Sequence, residues 1–417
     1  MRRKLVVLSV LALAGCSSTA EQPQARQSSV TVSSSESSAS QSQENKPFSD
    51  NPTLAECRGL MADSKEQARA TAEDCIRAIP AEDLAGSLLA VGVTDYDQAE
   101  RAVDLGVRHL FLGTGTDFSM LNGHGDPARS LASLQERAGG ELVISVDEEG
   151  GLVQRLSDVT GELASAQKMA QEHTPEQVRG IMFEHGKKLR DLGFTMDFAP
   201  VLDLAGGENI EDNAIGSRAF SADPTVVADY ATAYSQGLMD AGITPVMKHF
   251  PGHGHATGDS HMGTVTAPPR EEMEAADMVP FAELSRLPGM AAMVGHMQTP
   301  GIDGEGTEGA QTPASLNSAV YQLLRAGGYS PSARGGAAAA FNGPIFTDDL
   351  TGMKAVTDSH PGPEAAVVAL QAGADQALTA AGAISVDDTV AAVRQAIVDG
   401  KISAEHVHEA TIRAHLS

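Results

Sequence analysis

Short apolar runs alternate with longer stretches of helical periodicity along most of the chain. The runs fall at 88–92, 108–112, 142–146, 195–200, 243–247, 291–295, 345–347 and 374–378. Each is too short for a helix and apolar enough for a strand buried on both faces. Helical patterns lie between them at 97–105, 131–138, 175–192, 224–241 and 315–325, and two more, 387–399 and 404–416, close the chain. Residues 52–79 read as helical pieces ahead of the first strand. Strand–helix alternation argues for a parallel sheet, and eight units over this length suit an α/β fold closed as a single (β/α)8 TIM-type barrel.

The polar residues at the strand ends strengthen that choice. Asp147, Asp197, Lys248, His249, His296 and Asp348 each follow or end a different run, or share one run's end. A barrel gathers such ends on one face, whereas an open sheet spreads them along an edge. One stretch fits poorly. Residues 326–342 contain Gly-Gly-Tyr-Ser-Pro and Arg-Gly-Gly-Ala-Ala-Ala-Ala, and read as an inserted loop, either a lid over one side of the site or a solvated linker.

The front of the chain is of another kind. Arg2, Arg3 and Lys4 precede an apolar run over 5–14, too short to span a bilayer, and Leu13-Ala14-Gly15-Cys16 ends it. This resembles a bacterial lipobox. It implies a signal peptide over 1–15 and lipidation of Cys16. Residues 16–51 are rich in Ser, Gln, Glu and Thr, a composition that reads as a flexible tether. The expectation is an exported domain, 52–417, held to a membrane by its lipid alone. Cys57 and Cys75 are then expected to pair, as disulfides persist outside the cytosol, at about 3 kcal/mol for a loop of this length.

Composition narrows the function. Of 417 residues 41% are hydrophobic, enough for a sizeable core, and a net charge of −26 argues against nucleic acid as a partner. Trp is absent, which excludes a sugar platform of stacked tryptophans.

The densest chemistry is Lys248-His249-Phe250-Pro251-Gly252-His253-Gly254, running on to Asp259-Ser260-His261. Pro and repeated Gly exclude a helix. Asp259 and His261, two apart, can hydrogen-bond as a general acid/base unit. Asp348, at a strand end in Thr347-Asp348-Asp349-Leu350, suits a nucleophile. A nucleophile and a separate proton donor are what retaining glycoside hydrolysis needs, with a His–Asp pair in place of one carboxylate.

These motifs together resemble glycoside hydrolase family 3, in its β-N-acetylglucosaminidase branch. Asp147-Glu148-Glu149-Gly150-Gly151-Leu152-Val153-Gln154-Arg155, Asp197-Phe198-Ala199-Pro200-Val201-Leu202-Asp203 and Ile215-Gly216-Ser217-Arg218-Ala219-Phe220 match further segments, and the likeness runs from about Leu88 onward. The resemblance implies Asp348 as nucleophile and His261 as acid/base oriented by Asp259. It implies Asp147, Arg218, Lys248, His249 and Arg155 as sugar-binding residues, no cofactor and no metal. It further implies hydrolysis of terminal β-linked N-acetylglucosamine from cell-wall fragments by a monomer. β-Glucosidase or phosphorylase activity within the same family is the alternative. Glu148 and Leu152 depart from the usual pattern, where Gln and Arg are common.

Blander readings stand beside these. His253 and His255 suit backbone-binding loop residues, His296 the barrel mouth, Asp349 a helix cap, and Asp203 a structural brace. From another class, His249, His253, His255 and His261 suit zinc capture by an exported binding protein, though Lys248 would repel a cation there. A catalytically idle glycan-binding relative is the third reading. The division expected within the motif is a fixed Lys248–His249 half and a mobile Asp259–His261 half, with the glycines as hinge.

Overall fold

The computed structural model describes residues 47–62, 66–140, 142–205, 215–302 and 310–416. The signal peptide, Cys16 and the tether up to residue 46 lie outside the described residues. At the domain's start Phe48 packs on the core and the Ser49 N–H donates to Glu56 at 2.6 Å, so packing begins just ahead of Pro52.

Eight parallel strands form one sheet: β1 (Leu89–Gly92), β2 (His109–Leu112), β3 (Val143–Val146), β4 (Met196–Asp197), β5 (Thr244–Phe250), β6 (Ala291–Val294), β7 (Ile345–Thr347) and β8 (Ala377–Thr379). Neighbours in sequence are neighbours in space, and β8 pairs with β1. Between β7 and β8 a Phe346–Gln376 bridge and the Thr347 N–H to Gln376 O bond, 3.2 Å, complete the ring. The result is the TIM-type barrel. Inside it Phe111, Phe198 and Phe346 stack in sequence, with centroids 5.2 and 5.6 Å apart, among Met196, Val246 and Met293. His109 sits with them, bridging Gln376 and Ser145 at 2.8 Å each. Burial pushes its pKa down to about 4, against the Gln376 bond, so it is a neutral packing residue.

The helices form where the sequence caps them. Thr174 and Gln177 make a capping box with Pro175 in the first turn, opening Pro175–Asp191. Asp223 caps Pro224–Asp240. These two helices touch at Gly237, where a Cβ would lie 2.4 Å from the Arg179 carbonyl oxygen. Pro363–Ala372 was not legible as a helix because it is apolar nearly all round, with Ala365, Ala366, Ala369 and Leu370 buried, and so shows no clear stripe. Helices Arg270–Ala275 and Val279–Leu284 are too short to carry a period. Cys57 and Cys75 are joined as a disulfide between helices Leu54–Gly59 and Glu66–Arg77, Cα–Cα 5.3 Å. At the base of the barrel the buried Asp375 accepts from Arg325 and, at 2.9 Å, from Arg413.

The 326–342 stretch is neither lid nor linker. It precedes a strand, so it starts from the end of the barrel opposite the strand C-termini. None of its residues lines the cavity at that C-terminal mouth. Tyr329 and Phe341 are buried at 2% exposure, with Tyr329 against Phe250 at 5.5 Å. Arg334 ties the stretch to Asp229 and Glu283 on the outer helices. Its alanines and glycines hid this, because Tyr329 and Phe341 are the large side chains that anchor it. Tyr329→Ala is expected to lower unfolding free energy by about 3 kcal/mol while leaving KM unchanged; urea melts and steady-state kinetics check both.

Candidate active site

The strand ends deliver their polar residues to one cavity of about 520 Å³. Asp147, Arg155, Arg218, Lys248, His249, Asp259, His261 and Asp348 all line it. β5 contributes two of them through a bulge: Met247 pairs with Ala292, but Phe250 with Val294, so one extra residue enters on β5. Such an insertion re-aims side chains. Lys248 and His249 both face the mouth, while Phe250 packs outward on Phe281, 5.4 Å between centroids.

Charge organises the floor. Lys248 Nζ lies 2.8 Å from Asp147 Oδ1 and 2.7 Å from Glu149 Oε1. Arg218 grips Glu149 through two bonds, Nε to Oε2 at 2.7 Å and Nη2 to Oε1 at 2.8 Å. Burial opposes ionisation of Glu149, but Arg218 and Lys248 outweigh it and hold the carboxyl well below its usual range. Burial likewise works against the Lys248 charge, and Asp147 and Glu149 override it, raising the ammonium. Sequence reasoning assigned Glu149 no role. Its only signal was its place as the third acid of Asp147-Glu148-Glu149, ahead of the Gly150–Gly151 turn; Arg218 and Lys248 reach it from distant segments. Glu148 faces away from the cavity and accepts from the Arg155 and Leu156 N–H groups and from Gln154, bracing the hairpin Glu148–Gly150/Val153–Gln154. Leu152 stands exposed at that hairpin's tip. Arg155 lines the cavity wall, and its buried Nε lacks a hydrogen-bond partner.

His249 is oriented from behind. Its Nδ1 donates to Asp203 Oδ2 at 2.5 Å, which leaves Nε2 facing Asp348 Oδ2 at 3.9 Å. This tautomer follows from a carboxylate being able only to accept. Asp203 also receives the His249 and His253 backbone N–H groups, at 3.3 and 2.7 Å. Asp348 Oδ1 accepts the Asp349 N–H at 2.9 Å. Burial raises the Asp348 pKa, but His249, His296, that N–H and Lys248 together bring it below the ordinary value. Asp348 is therefore an ionised carboxylate at neutral pH, the form a nucleophile requires.

Asp197, although a strand-end residue, does not reach the cavity. Its Oδ1 accepts the Glu148 N–H at 3.0 Å, and burial followed by the Glu148 charge raises its pKa well above the usual value. It is a buried brace behind the site. His296 is also behind the wall, bonded to Ser315 Oγ at 2.7 Å and the Asp349 carbonyl at 2.8 Å. Asp349 pins the turn, accepting from Thr351, Gly352 and Ala380 N–H groups at 2.9 Å each. His253 lines the cavity with its ring against His249.

His261 Nδ1 meets Asp259 Oδ1 at 2.8 Å, and the His261 N–H donates to the same oxygen at 2.9 Å. Both side chains are partly exposed. A Thr257–Thr266 bridge closes the loop that carries them, and the Ala355 N–H bonds Ser260 O at 3.1 Å, docking it beside the segment after Asp348. The hinge expectation needs correction. A Cβ at Gly254 would meet Leu204 O at 2.4 Å and one at Gly252 would meet Asp277 Cβ at 2.6 Å, so these glycines permit close packing. The third glycine of the motif, Gly258, is less crowded, with Val265 Cγ2 at 3.9 Å, and Gly263 beyond it has nothing within 4 Å.

The histidines do not converge as a metal site. His249, His255 and His261 each hold a carboxylate of their own, Asp203, Asp277 and Asp259. Among the described residues no group of three His, Cys, Asp or Glu has metal-holding geometry.

Residues 87–415 match the family model described as the glycosyl hydrolase family 3 N terminal domain. The chain belongs to glycosyl hydrolase family 3. It is 43% identical over 300 residues to the Mycobacterium tuberculosis protein named beta-hexosaminidase LpqI, covering 71% of this chain and 72% of that one. A solved family 3 glycosyl hydrolase from Mycobacterium smegmatis superposes with a TM-score of 0.74 at 42% identity, over 82% of this chain and 98% of the other. A family 3 beta-N-acetylglucosaminidase from Paenibacillus gives 0.69 at 28% identity, over 81% of this chain and 61% of that larger one. The protein is thus a glycoside hydrolase on a TIM-type barrel.

For this family 3 chain the Glu149 contacts make a pH prediction. Its carboxyl is depressed below the ordinary 4.5, so its contribution to stability is complete above that value and is lost as pH falls through the lower folded value. Glu149→Gln is expected to cost about 3 kcal/mol at neutral pH, as Arg218 loses its two-bond partner and Lys248 keeps only Asp147. It should also flatten the acid limb of the stability–pH curve, measured by urea unfolding across the acid range.

Proposed function

We propose that the protein is a retaining, exo-acting β-N-acetylhexosaminidase of cell-wall fragments, anchored outside the cytoplasm through Cys16. The observation that carries the reading is the pairing of His261 with Asp259 on a loop over the same cavity as the ionised Asp348. The names of the Mycobacterium and Paenibacillus relatives support the sugar, and the lipobox-like start supports the address.

In this reading Asp348 attacks the anomeric carbon as the bond to the leaving oxygen breaks, and His261 gives that oxygen its proton. The product is a glycosyl ester on Asp348. Water then attacks the same carbon, His261 takes its proton, and the ester bond breaks to restore the carboxylate. Asp147, Arg218, Lys248 and His249 hold hydroxyls, and Arg155 offers a further donor. Asp203 keeps His249 Nε2 turned to the sugar.

The wild type is expected to release p-nitrophenol from the β-N-acetylglucosaminide in preference to the β-glucoside. Asp348→Ala should abolish release, and His261→Ala should reduce it by about 10²–10⁴-fold. Activity surviving in Asp348→Ala would remove the nucleophile assignment. Adding phosphate separates hydrolysis from phosphorolysis, since only the latter yields sugar 1-phosphate.

Alkyne-palmitate labelling in a bacterial host tests the anchor. Label should enter the wild type and not Cys16→Ser, which should leave the membrane fraction; an unlabelled wild type would refute anchoring.

A further inference from the structure

The chain between β5 and the acid/base loop is fastened by two buried carboxylates. Asp203, 0% exposed, holds His249 and His253 as described. Asp277, 1% exposed, holds His255. The His255 N–H points to Asp277 Oδ1 at 3.3 Å, and Nδ1 lies 3.0 Å from each carboxylate oxygen. The arrangement repeats that of His261 on Asp259, where one carboxylate takes both the ring nitrogen and the backbone N–H. Its place differs, because His255 does not line the cavity. We infer that His255 and Asp277 are positioning residues, whose pairing fixes the root of the loop and thereby the place of His261. This rests on His261 being the acid/base group.

Asp277 belongs to the barrel wall. It lies in the turn between helices Arg270–Ala275 and Val279–Leu284, and its Cβ is against the Gly252 backbone. Phe281 of the second helix packs on Phe250 of β5. Only Ala256 separates His255 from the Thr257–Thr266 bridge that starts the loop. The returning leg is held independently, by the Gln298 N–H on Val265 O at 2.7 Å and the Ala267 N–H on Gln298 O at 2.9 Å. One leg thus hangs on Asp277 and the other on Gln298, and between them the tip rests on the segment after Asp348 through the Ala355 N–H on Ser260 O, 3.1 Å, and Ser260 Oγ against Met353 Sδ, 3.5 Å. Releasing the first leg lets the loop turn about these remaining contacts and shifts His261 from the leaving oxygen. Proton transfer needs a heavy-atom separation of about 2.6–3.2 Å, so a shift of about 1 Å is enough to disable it. Asp348 follows β7, and Lys248 and His249, although on β5, are held by Asp147, Glu149 and Asp203, so these groups stay in place.

The full-length protein tests this with two β-N-acetylglucosaminides that differ in leaving group. Phenol needs protonation to depart, whereas 2,4-dinitrophenol leaves without it. His255→Ala is expected to lose about 10²-fold in kcat/KM on the phenyl glycoside and little on the dinitrophenyl one, as His261→Ala should. His255→Asn, which keeps an N–H donor for Asp277, should recover most of the loss. Asp277→Ala should match His255→Ala, and the double variant should be no worse than either. Equal losses on both glycosides, or none on either, would overturn the assignment. A wild type that cleaves neither would overturn the glycosidase reading and this proposal with it.

Discussion

Lys248 and Arg218 enter the barrel mouth as cations removed from water, and Glu149 binds both, at 2.7 Å from each. Lys248 has Asp147 as a second partner, and Glu149 is the carboxylate that the two cations share. Desolvation of one ammonium or guanidinium costs several kcal/mol, and two in one cavity also repel. The shared carboxylate offsets both, and in doing so fixes where the cations stand. Arg218 lies on the 3-10 turn Gly216–Arg218 and Lys248 on β5, so the Glu149 contacts also join three separate segments over the barrel. The charged floor of the cavity is a product of this electrostatic closure.

A second layer of carboxylates sets directions within the site. Asp203 decides which imidazole nitrogen of His249 faces Asp348, and its other oxygen holds two backbone N–H groups. Asp259 does the same for His261 at the rim. The two pairs differ in surroundings. Asp203 is fully buried and rigid by packing, while Asp259 and His261 are partly open to solvent. In the proposed mechanism His249 binds a ground-state hydroxyl and gains from fixity. The proposed proton carrier, His261, gains from access to water.

Much of the site was legible from residue types and spacing. Lys248, His249, Asp259, His261 and Asp348 stand in motifs whose chemistry can be named, and the structure brings them to one cavity. Glu149 was not legible as a hub, because its two partners lie on segments that meet only in the folded barrel. The hinge was misplaced for a related reason. Gly252 and Gly254 look like freedom in a string of letters, but Asp277 and Leu204 fill the space where their side chains would be. The stretch 326–342 looked like a loop near the site through its proximity to Asp348 in sequence. Passing through β7 reverses that, since a strand carries the chain from one end of the barrel to the other.

The sequence by itself determined the barrel, since eight doubly buried strands alternating with amphipathic helices have few other ways to cover both faces of each strand. It also determined which residues could do acid/base and nucleophilic chemistry, because those capacities belong to the side chains. Only the tertiary structure decided which carboxylates line the cavity and which brace it from behind. Asp197 and Asp348 both stand at strand ends, yet burial beside Glu148 pushes the pKa of the first up while His249, His296 and a backbone N–H bring that of the second down. A carboxyl's protonation state depends on what lies within a few ångströms, and in a closed barrel those neighbours come from strands far apart in the chain.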